Sequence, residues 1–141
     1  MRDKSMNILL IEDDEVDIMN VERAFKRINL TNPLYIARDG VEALAMLRGQ
    51  NGKAIVPWPR LILLDINMPR MNGIEFLHEI RQDPALKMIT VIVLTTSNEE
   101  RDVVAAYQFN VAGYIIKPVS FEEFVKTLGA LDHYWTLSEM P

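Results

Sequence analysis

The sequence predicts a doubly wound α/β domain, in which helices cover both faces of a parallel five-stranded sheet. Three observations support this prediction. Five short apolar runs alternate with segments whose apolar residues recur at helical spacing. The runs are apolar throughout, which is typical of strands that are buried on both faces. Strands that alternate with helices are joined by right-handed crossovers, which favours a doubly wound order.

The five predicted strands are four-residue runs rich in leucine, isoleucine and valine. Each run is followed by a polar residue, so each strand has a defined end. The strands are Ile8–Ile11, Leu34–Ala37, Leu61–Leu64, Val91–Leu94 and Gly113–Ile116.

The helices are predicted from apolar periodicity and from capping residues. The first helix has apolar residues at helical spacing from Val16 to Ile28. The motifs Ser97-Asn98-Glu99-Glu100 and Ser120-Phe121-Glu122-Glu123 each fit a capping box. The third helix ends before Pro84, because the residue before a proline disfavours helical backbone angles. The predicted helices cover 16–28, 39–47, 73–81, 97–109 and a final segment from 120.

Length and composition predict one domain over residues 1–141, with a core at about 7–130 and an aromatic tail at 131–141. The net charge of −5 argues against a nucleic-acid-binding surface. The chain has no cysteines, which excludes disulfides, zinc–thiolate sites and cysteine nucleophiles. We find no apolar run long enough for a signal peptide or a membrane span, and we therefore expect a cytoplasmic protein without a membrane partner.

Charged or hydroxyl-bearing residues follow four of the strands. Asp65 ends the third strand, just before a sharp turn, and is the best candidate for a reactive atom. Glu12 and Asp13 follow the first strand, whereas Thr95 and Lys117 follow the fourth and fifth. Doubly wound sheets place their functional crevice at the carboxyl ends of the strands, where the strand order reverses. In the flavodoxin-like order 2-1-3-4-5, that point lies between the first and third strands, where the acidic residues fall.

Four segments at these strand ends point to a family. They are Leu10–Asp14, Leu64–Pro69 with Asn72-Gly73, Val93–Ser97 and Gly113–Pro118. In order and spacing they resemble the receiver domain of two-component response regulators, of the single-domain, chemotaxis-regulator-like kind, along essentially the whole chain. The resemblance implies transfer of a phosphoryl group from a phosphohistidine on a sensor histidine kinase to Asp65. It also implies a phosphoacceptor signalling protein rather than an enzyme that turns over a foreign substrate.

The residue types at the strand ends suit this chemistry. A carboxylate that attacks phosphorus needs its charge neutralised, and Mg²⁺ suits this because it prefers oxygen ligands and bridges carboxylate and phosphate. Asp13 and Asp65 are the expected direct ligands, with the backbone carbonyl of Asn67 as a third. Glu12 is expected to act through a coordinated water. Lys117 is expected to pair with Asp65 and then with the phosphoryl oxygens.

The hydroxyl of Thr95 and the N–H of Thr96 are expected to hydrogen-bond the remaining phosphoryl oxygens. The family resemblance implies that Thr95 then moves toward the phosphoryl group and Tyr114 swings inward behind it. This would alter the face made by the fourth helix, fifth strand and fifth helix. The simpler alternatives are that the threonines satisfy turn backbone and that Tyr114 is an aromatic on an edge strand.

Three residues are expected to shape turns around the site. Pro69 and Gly73 shape the loop after Asp65. Gly73 is required either because a side chain would collide with the reacting group or because the turn needs a positive φ. The resemblance implies that Pro118 aims Lys117 inward.

Two departures from the commonest receiver pattern suggest partners. Residues 48–60 contain two glycines and two prolines and predict an enlarged loop. The tail 131–137 contains a histidine, a tyrosine and a tryptophan. Both features resemble small regulators associated with bacteriophytochrome-type kinases. Because about twenty residues follow Val119, we expect a stand-alone receiver without a DNA-binding domain. The tail predicts either a docking or homodimer surface or a segment that folds back onto the domain.

Other interpretations stay open from the sequence alone. Individually, Asp65 fits a helix cap, residues 12–15 a solvated acidic turn, and Lys117 a surface lysine. A haloacid-dehalogenase-like phosphohydrolase also uses a strand-end aspartate, but Asn67 stands where its second aspartate is expected. A flavodoxin-like cofactor binder would need a phosphate loop where this chain has acids. A pseudo-receiver would only scaffold partners.

Overall fold

A computed structural model describes residues 7–27, 30–50, 55, 57–117, 120 and 122–127. Its single sheet has five parallel strands in the order 2-1-3-4-5, which confirms the predicted fold. The strand order reverses between the first and third strands, which pair directly along their whole length. The carboxyl ends of these two strands therefore form the crevice edge that the topology predicts.

The strands match the apolar runs closely. Two of them are longer than predicted, because the third extends through Asp65 and the fourth includes Thr90 and Thr95. Asp65 pairs with Leu94 across the sheet, so its backbone is held by the ladder itself. The strands are β1 (Ile8–Ile11), β2 (Leu34–Ala37), β3 (Leu61–Asp65), β4 (Thr90–Thr95) and β5 (Gly113–Ile116).

Within the described residues, four helices lie between the strands, and each begins within one residue of its predicted start. They are α1 (Glu15–Arg27), α2 (Gly40–Leu47), α3 (Gly73–Gln82) and α4 (Asn98–Ala106), and residues 122–127 are also helical. Among the residues described, no helix is both long and apolar enough to cross a membrane.

The end of α4 was predicted wrongly. The helix ends at Ala106, not near Phe109, and the chain then turns through two residues with left-handed backbone angles. These residues are Gln108 (φ 55°) and Asn110 (φ 58°). A right-handed helix cannot continue through such angles. Apolar periodicity alone extends past this point because Phe109 still packs against the core.

The capping box predicted at Ser97 is also only half formed. The Ser97 side chain accepts a hydrogen bond from the Glu100 N–H, as expected, at 3.1 Å. The Glu100 carboxylate, however, does not accept the reciprocal hydrogen bond from the Ser97 N–H. A complete reciprocal box occurs instead at Asn72 and Glu75, where α3 begins.

Several expectations lie wholly or partly outside the described residues. The Ser120 side chain accepts a hydrogen bond from the Glu123 N–H at 3.2 Å, as its motif predicts. Within the enlarged loop, Ile55 is buried and the Trp58 ring N–H donates to the Leu47 carbonyl at 2.8 Å. The predictions for Ile28, Pro118, Phe121 and the aromatic tail fall on residues that are not described.

Two apolar clusters sandwich the sheet. Successive strand residues point to opposite faces, so each strand contributes to both clusters. One cluster packs β1, β3 and β4 against α2, α3 and Val104 of α4, and the other packs the opposite face against α1 and Phe124. This burial leaves only the strand ends free to present polar groups.

Gly73 is required by close backbone contact. A Cβ at this position would lie 2.6 Å from the Asp65 carbonyl oxygen and 2.8 Å from Ile66 Cα. The positive φ that was expected as one reason is wrong, because the φ of Gly73 is not positive; the close contacts are with Asp65 and Ile66. The glycine lets α3 begin directly against the end of β3, which fixes the loop that follows Asp65.

Candidate functional site

The Lys117 ammonium meets three carboxylates at the carboxyl end of the sheet. Its Nζ lies 2.9 Å from Glu12 Oε1, 2.8 Å from Asp17 Oδ2 and 3.2 Å from Asp65 Oδ1. The three acids come from the end of β1, the first turn of α1 and the end of β3. Residues far apart in sequence therefore meet around one cation, which the carboxyl ends of parallel strands make possible.

Burial makes this cluster electrostatically unusual. Glu12 and Asp65 are 0% and 1% exposed. Burial, followed by the hydrogen bond and negative charge of Asp65, raises the pKa of Glu12 to about 9 against the opposing effect of Lys117. Burial alone would lower the pKa of Lys117, but its contacts with Asp17, Glu12 and Asp65 raise it above the usual value. Lys117 is therefore charged at neutral pH and balances part of the acidic charge.

Three carboxylates lie close enough to share a metal ion. Glu12, Asp13 and Asp65 each offer an oxygen, and these oxygens all lie within 4.8 Å of one another. Asp13 is exposed whereas the other two are buried, so the cluster opens to solvent on the Asp13 side. Hard carboxylate oxygens with access to water suit a divalent cation such as Mg²⁺ or Mn²⁺.

The Thr95 hydroxyl is buried without a partner. Thr95 is 0% exposed, and its Oγ1 has no hydrogen-bond partner among the described residues. An unpaired buried hydroxyl costs roughly 1–3 kcal/mol, so such groups usually await a ligand or a rearrangement. Its position at the end of β4, beside the end of β3, makes it available to a group bound at Asp65.

Thr96 and Asn67 bond to a residue that sequence reasoning did not single out. The Thr96 N–H, expected to face phosphoryl oxygens, donates instead to Glu100 Oε1 at 2.9 Å. The Asn67 side-chain amide donates to Glu100 Oε2 at 2.7 Å, and the Asn67 N–H donates to Asp65 Oδ1 at 3.2 Å. The loops after β3 and β4 are thus joined through one carboxylate on α4.

The loop after Asp65 contains Pro69 and a residue with unusual backbone angles. Pro69 is exposed, and Arg70 has a left-handed φ of 63°. The Arg70 guanidinium reaches the buried Asp39 carboxylate, with Nε and Nη2 at 2.7 and 2.6 Å from Oδ2. This contact ties the loop to the start of α2, where Asp39 caps the helix.

Tyr114 lies on β5 opposite Val93 and packs, partly buried, against the cluster that includes α4. Burial raises the pKa of its phenol. The side chain is neither fully buried nor fully exposed.

Sequence reasoning missed two members of the site, Asp17 and Glu100. Asp17 lies in the first turn of α1, shortly after the acids that follow β1. This closeness in sequence to Glu12 and Asp13 was a usable signal. Glu100 was noticed only as the fourth residue of a predicted capping box, and no sequence pattern shows that its side chain bonds elsewhere.

Comparisons with known proteins agree on one family. The family described as the response regulator receiver domain matches residues 8–129. The response regulator Rcp1 of a Synechocystis species is 41% identical over 128 residues, which cover 91% of this chain and 87% of that protein. A solved Mn²⁺-bound form of Rcp1 is 40% identical, with a TM-score of 0.75 and coverage of 92% of this chain and 94% of that one.

Two further solved structures are similar over most of their length. The bacteriophytochrome response regulator RtBRR has a TM-score of 0.84 at 38% identity, covering 89% of this chain and 77% of its own. A phosphorylated cyanobacterial phytochrome response regulator, RcpA, has a TM-score of 0.77 at 35% identity and covers 96% of both chains.

Proposed function

This chain belongs to the response regulator receiver family of two-component phosphoacceptors, and we propose that Asp65 is the residue that accepts the phosphoryl group. The observation that carries the assignment is the environment of the Asp65 carboxylate. It ends a buried strand, lies 3.2 Å from the Lys117 ammonium, and shares a metal-sized cluster of oxygens with Glu12 and Asp13.

The transfer follows from these groups. An ionised Asp65 oxygen attacks the phosphorus of a phosphohistidine, the new O–P bond forms as the P–N bond breaks, and the imidazole leaves with the electron pair. The Lys117 ammonium faces the Asp65 oxygen and forms an ion pair with the negatively charged phosphoryl oxygens when the group is transferred. No general base is needed, because a carboxylate is already a nucleophile when ionised.

The acidic cluster fits a divalent cation, and we assign Mg²⁺ to it. Asp13 and Asp65 would bind it directly, the backbone carbonyl of Asn67 would be a third ligand, and Glu12 would act through a water. When bound, the ion supplies positive charge that offsets the carboxylates and the phosphoryl oxygens. The Mn²⁺-bound form of Rcp1, a relative, supports a divalent ion of this kind.

Thr95 and Tyr114 form the proposed signal. The buried Thr95 hydroxyl, which bonds to no other described residue, would bond to a phosphoryl oxygen, with the Thr96 N–H as a second donor. Movement of Thr95 would leave space that Tyr114 fills, which changes the face around α4 and β5. In this proposal Pro69, Gly73 and Pro118 hold the loops that aim Asp65 and Lys117.

The family match leaves the haloacid-dehalogenase-like alternative without support. The chain is a signalling protein of the receiver family, and we propose that its chemistry is limited to uptake and loss of its own phosphoryl group. Asn67, two residues after Asp65, lacks the acid that a phosphohydrolase uses to protonate a leaving group.

The relatives also guide the choice of partner. Since similar proteins are phytochrome response regulators by name, we propose a bacteriophytochrome-type histidine kinase as the phosphoryl donor. We further propose that residues 1–141 form one receiver domain that acts in the cytoplasm. It would signal through protein surfaces, including a homodimer contact, and not through nucleic acid or membrane.

Phosphorylation with a small donor tests the assignment. The protein is incubated with Mg²⁺ and acetyl phosphate or phosphoramidate, and its intact mass is measured. We expect one added phosphoryl group on the wild type and none on Asp65→Asn. Modification of the Asp65→Asn protein to the wild-type level would overturn the assignment of Asp65. Transfer from a purified bacteriophytochrome kinase, compared with an unrelated histidine kinase, tests the partner.

A further inference from the structure

Glu100 joins two loops that border the site. Its carboxylate accepts hydrogen bonds from the Thr96 N–H at 2.9 Å, the Thr96 hydroxyl at 3.3 Å and the Asn67 side-chain amide at 2.7 Å. Thr96 directly follows β4, and Asn67 lies two residues after Asp65. One side chain in the first turn of α4 therefore satisfies three donors around the crevice.

A carboxylate in this place resembles the group that the site is proposed to receive. Both are anions that accept hydrogen bonds through oxygens, and both need donors at the ends of β3 and β4. The Thr96 N–H cannot donate fully to a phosphoryl oxygen while it is bonded to Glu100. By contrast, the neighbouring Thr95 hydroxyl has no hydrogen-bond partner within the described part of the chain.

The helix that carries Glu100 is weakly anchored. Val104 is the one buried residue of α4 among those whose burial is described, and Val103 is 52% exposed. The helix start is held by the Ser97 cap and by the bonds of Glu100 to the two loops. Loss of the Glu100 bonds would therefore loosen the start of α4 at a small cost in packing.

We propose that Glu100 is a positioning residue that competes with the phosphoryl group for the Thr96 N–H. In the unphosphorylated protein it holds both loops and the start of α4 together. An arriving phosphoryl group takes over the Thr96 donor, and the displaced Glu100 releases Asn67 and the helix. This inference rests on the proposed function of Asp65 and adds a residue that sets how strongly the site holds its phosphoryl group.

Glu100→Ala and Glu99→Ala form a matched pair of variants. Both remove one negative charge from the first turn of α4, but Glu99 is exposed and has no described hydrogen bond to either loop. Glu100→Gln keeps the shape and one acceptor oxygen while removing the charge, which guards against an effect of altered folding. A difference between the two alanine variants therefore reports the loop contacts rather than the charge.

The first measurement is the affinity for beryllofluoride with Mg²⁺, a stand-in for the phosphoryl group on Asp65. We expect Glu100→Ala to bind it about fivefold more tightly than the wild type, Glu100→Gln to lie between them, and Glu99→Ala to change less than twofold. Equal affinities for Glu100→Ala and Glu99→Ala, or weaker binding by Glu100→Ala, would overturn the proposal.

The second measurement records NMR spectra of the protein, first without a ligand and then, for the wild type, with beryllofluoride. The ¹⁵N–¹H resonance of Thr96 and the side-chain amide of Asn67 should shift in Glu100→Ala and stay in place in Glu99→Ala. In the wild type, beryllofluoride should move the Asn67 side-chain resonance toward its position in Glu100→Ala. If the Asn67 side-chain resonance does not shift when beryllofluoride binds, Glu100 is not displaced.

The two proposals fail in different ways. If the wild type gains no phosphoryl group at Asp65, the proposed function is wrong, and so is the proposed competition by Glu100. The resonance shifts in ligand-free protein would still report the contact between Glu100 and the loops. If Asp65 is modified normally while the two alanine variants behave alike, only the role of Glu100 is wrong.

Discussion

Two partly buried cations lie at opposite ends of the sheet and have different partners. Lys117 follows β5 and contacts three carboxylates within 3.2 Å. Arg81, on α3, lies at the amino end of β4 and β5, where its guanidinium donates to backbone carbonyls alone among the described residues. These belong to Phe109, Lys87, Ile89 and Asn110, at 2.7, 2.9, 2.9 and 3.4 Å.

The difference shows that the partners of a buried cation, not its charge, decide what it can do. The carbonyls around Arg81 are neutral and permanent, so the guanidinium fixes the loops before β4 and β5 in place. The carboxylates around Lys117 can bind protons, a metal ion or a phosphoryl group, so its contacts can be exchanged. Burial lowers the pKa of Arg81, whereas the carboxylates raise that of Lys117.

Replacing Arg81 should have the largest effect on stability. Arg81→Met leaves four carbonyls without this donor, and only some of them can turn to water, so we expect a loss of about 3 kcal/mol in the free energy of unfolding. Urea denaturation measures it, with Arg101→Met as the control. Arg101 has one exposed partner, Asp102, at 3.7 Å, and its loss should cost less than about 0.5 kcal/mol. Similar losses in both variants would refute a structural role for Arg81.

Replacing Lys117 should cost less stability and should respond to metal. Lys117→Met leaves its carboxylates unbalanced, but these can bind protons, so we expect a loss of about 2 kcal/mol without metal. Millimolar Mg²⁺ should recover most of it, because the ion supplies the missing positive charge. In Arg81→Met, Mg²⁺ should increase the free energy of unfolding only by the amount that it adds to the wild type. Equal recovery in both variants would remove the distinction between the two ends.

The pH dependence of stability tests the charge at Glu12. Native Glu12 holds its proton up to about pH 9, whereas unfolded Glu12 releases it near 4.5. The native state then binds more protons than the unfolded state over this range, so stability without metal falls as pH rises from about 5 to about 9. One proton gives a slope of at most about 1.4 kcal/mol per pH unit.

Urea denaturation with a chelator between pH 5 and 9 measures this slope. The Glu12→Gln variant should show a flatter profile than the wild type, whereas the exposed Glu99→Gln should not. If the free energy of unfolding of the wild type changes with pH in the same way as that of Glu12→Gln, native Glu12 is ionised over the whole range.

The sequence predicted the strands and most of the acidic cluster because both depend on local features. An apolar run that ends on Asp65 or Glu12 is visible without knowledge of its neighbours. Arg81 was not predicted to lock two loops, because its partners lie up to 29 residues away and are backbone atoms that any residue provides. The Glu100 side chain can accept a hydrogen bond either from the helix cap or from the two loops. Which of them it bonds to depends on tertiary packing, which the sequence does not show.

The smallest expected effect concerns Asp17, which tests whether Lys117 is held by the strand ends or by α1. Asp17→Asn removes the 2.8 Å contact but leaves Glu12 and Asp65 beside Lys117, so we expect a loss below about 1 kcal/mol and phosphoryl uptake within twofold of wild type. Glu22→Gln, exposed on the same helix, controls for charge and should change neither quantity. A loss as large as that of Lys117→Met would mean that α1, and not the pair of acids on β1 and β3, anchors the cation.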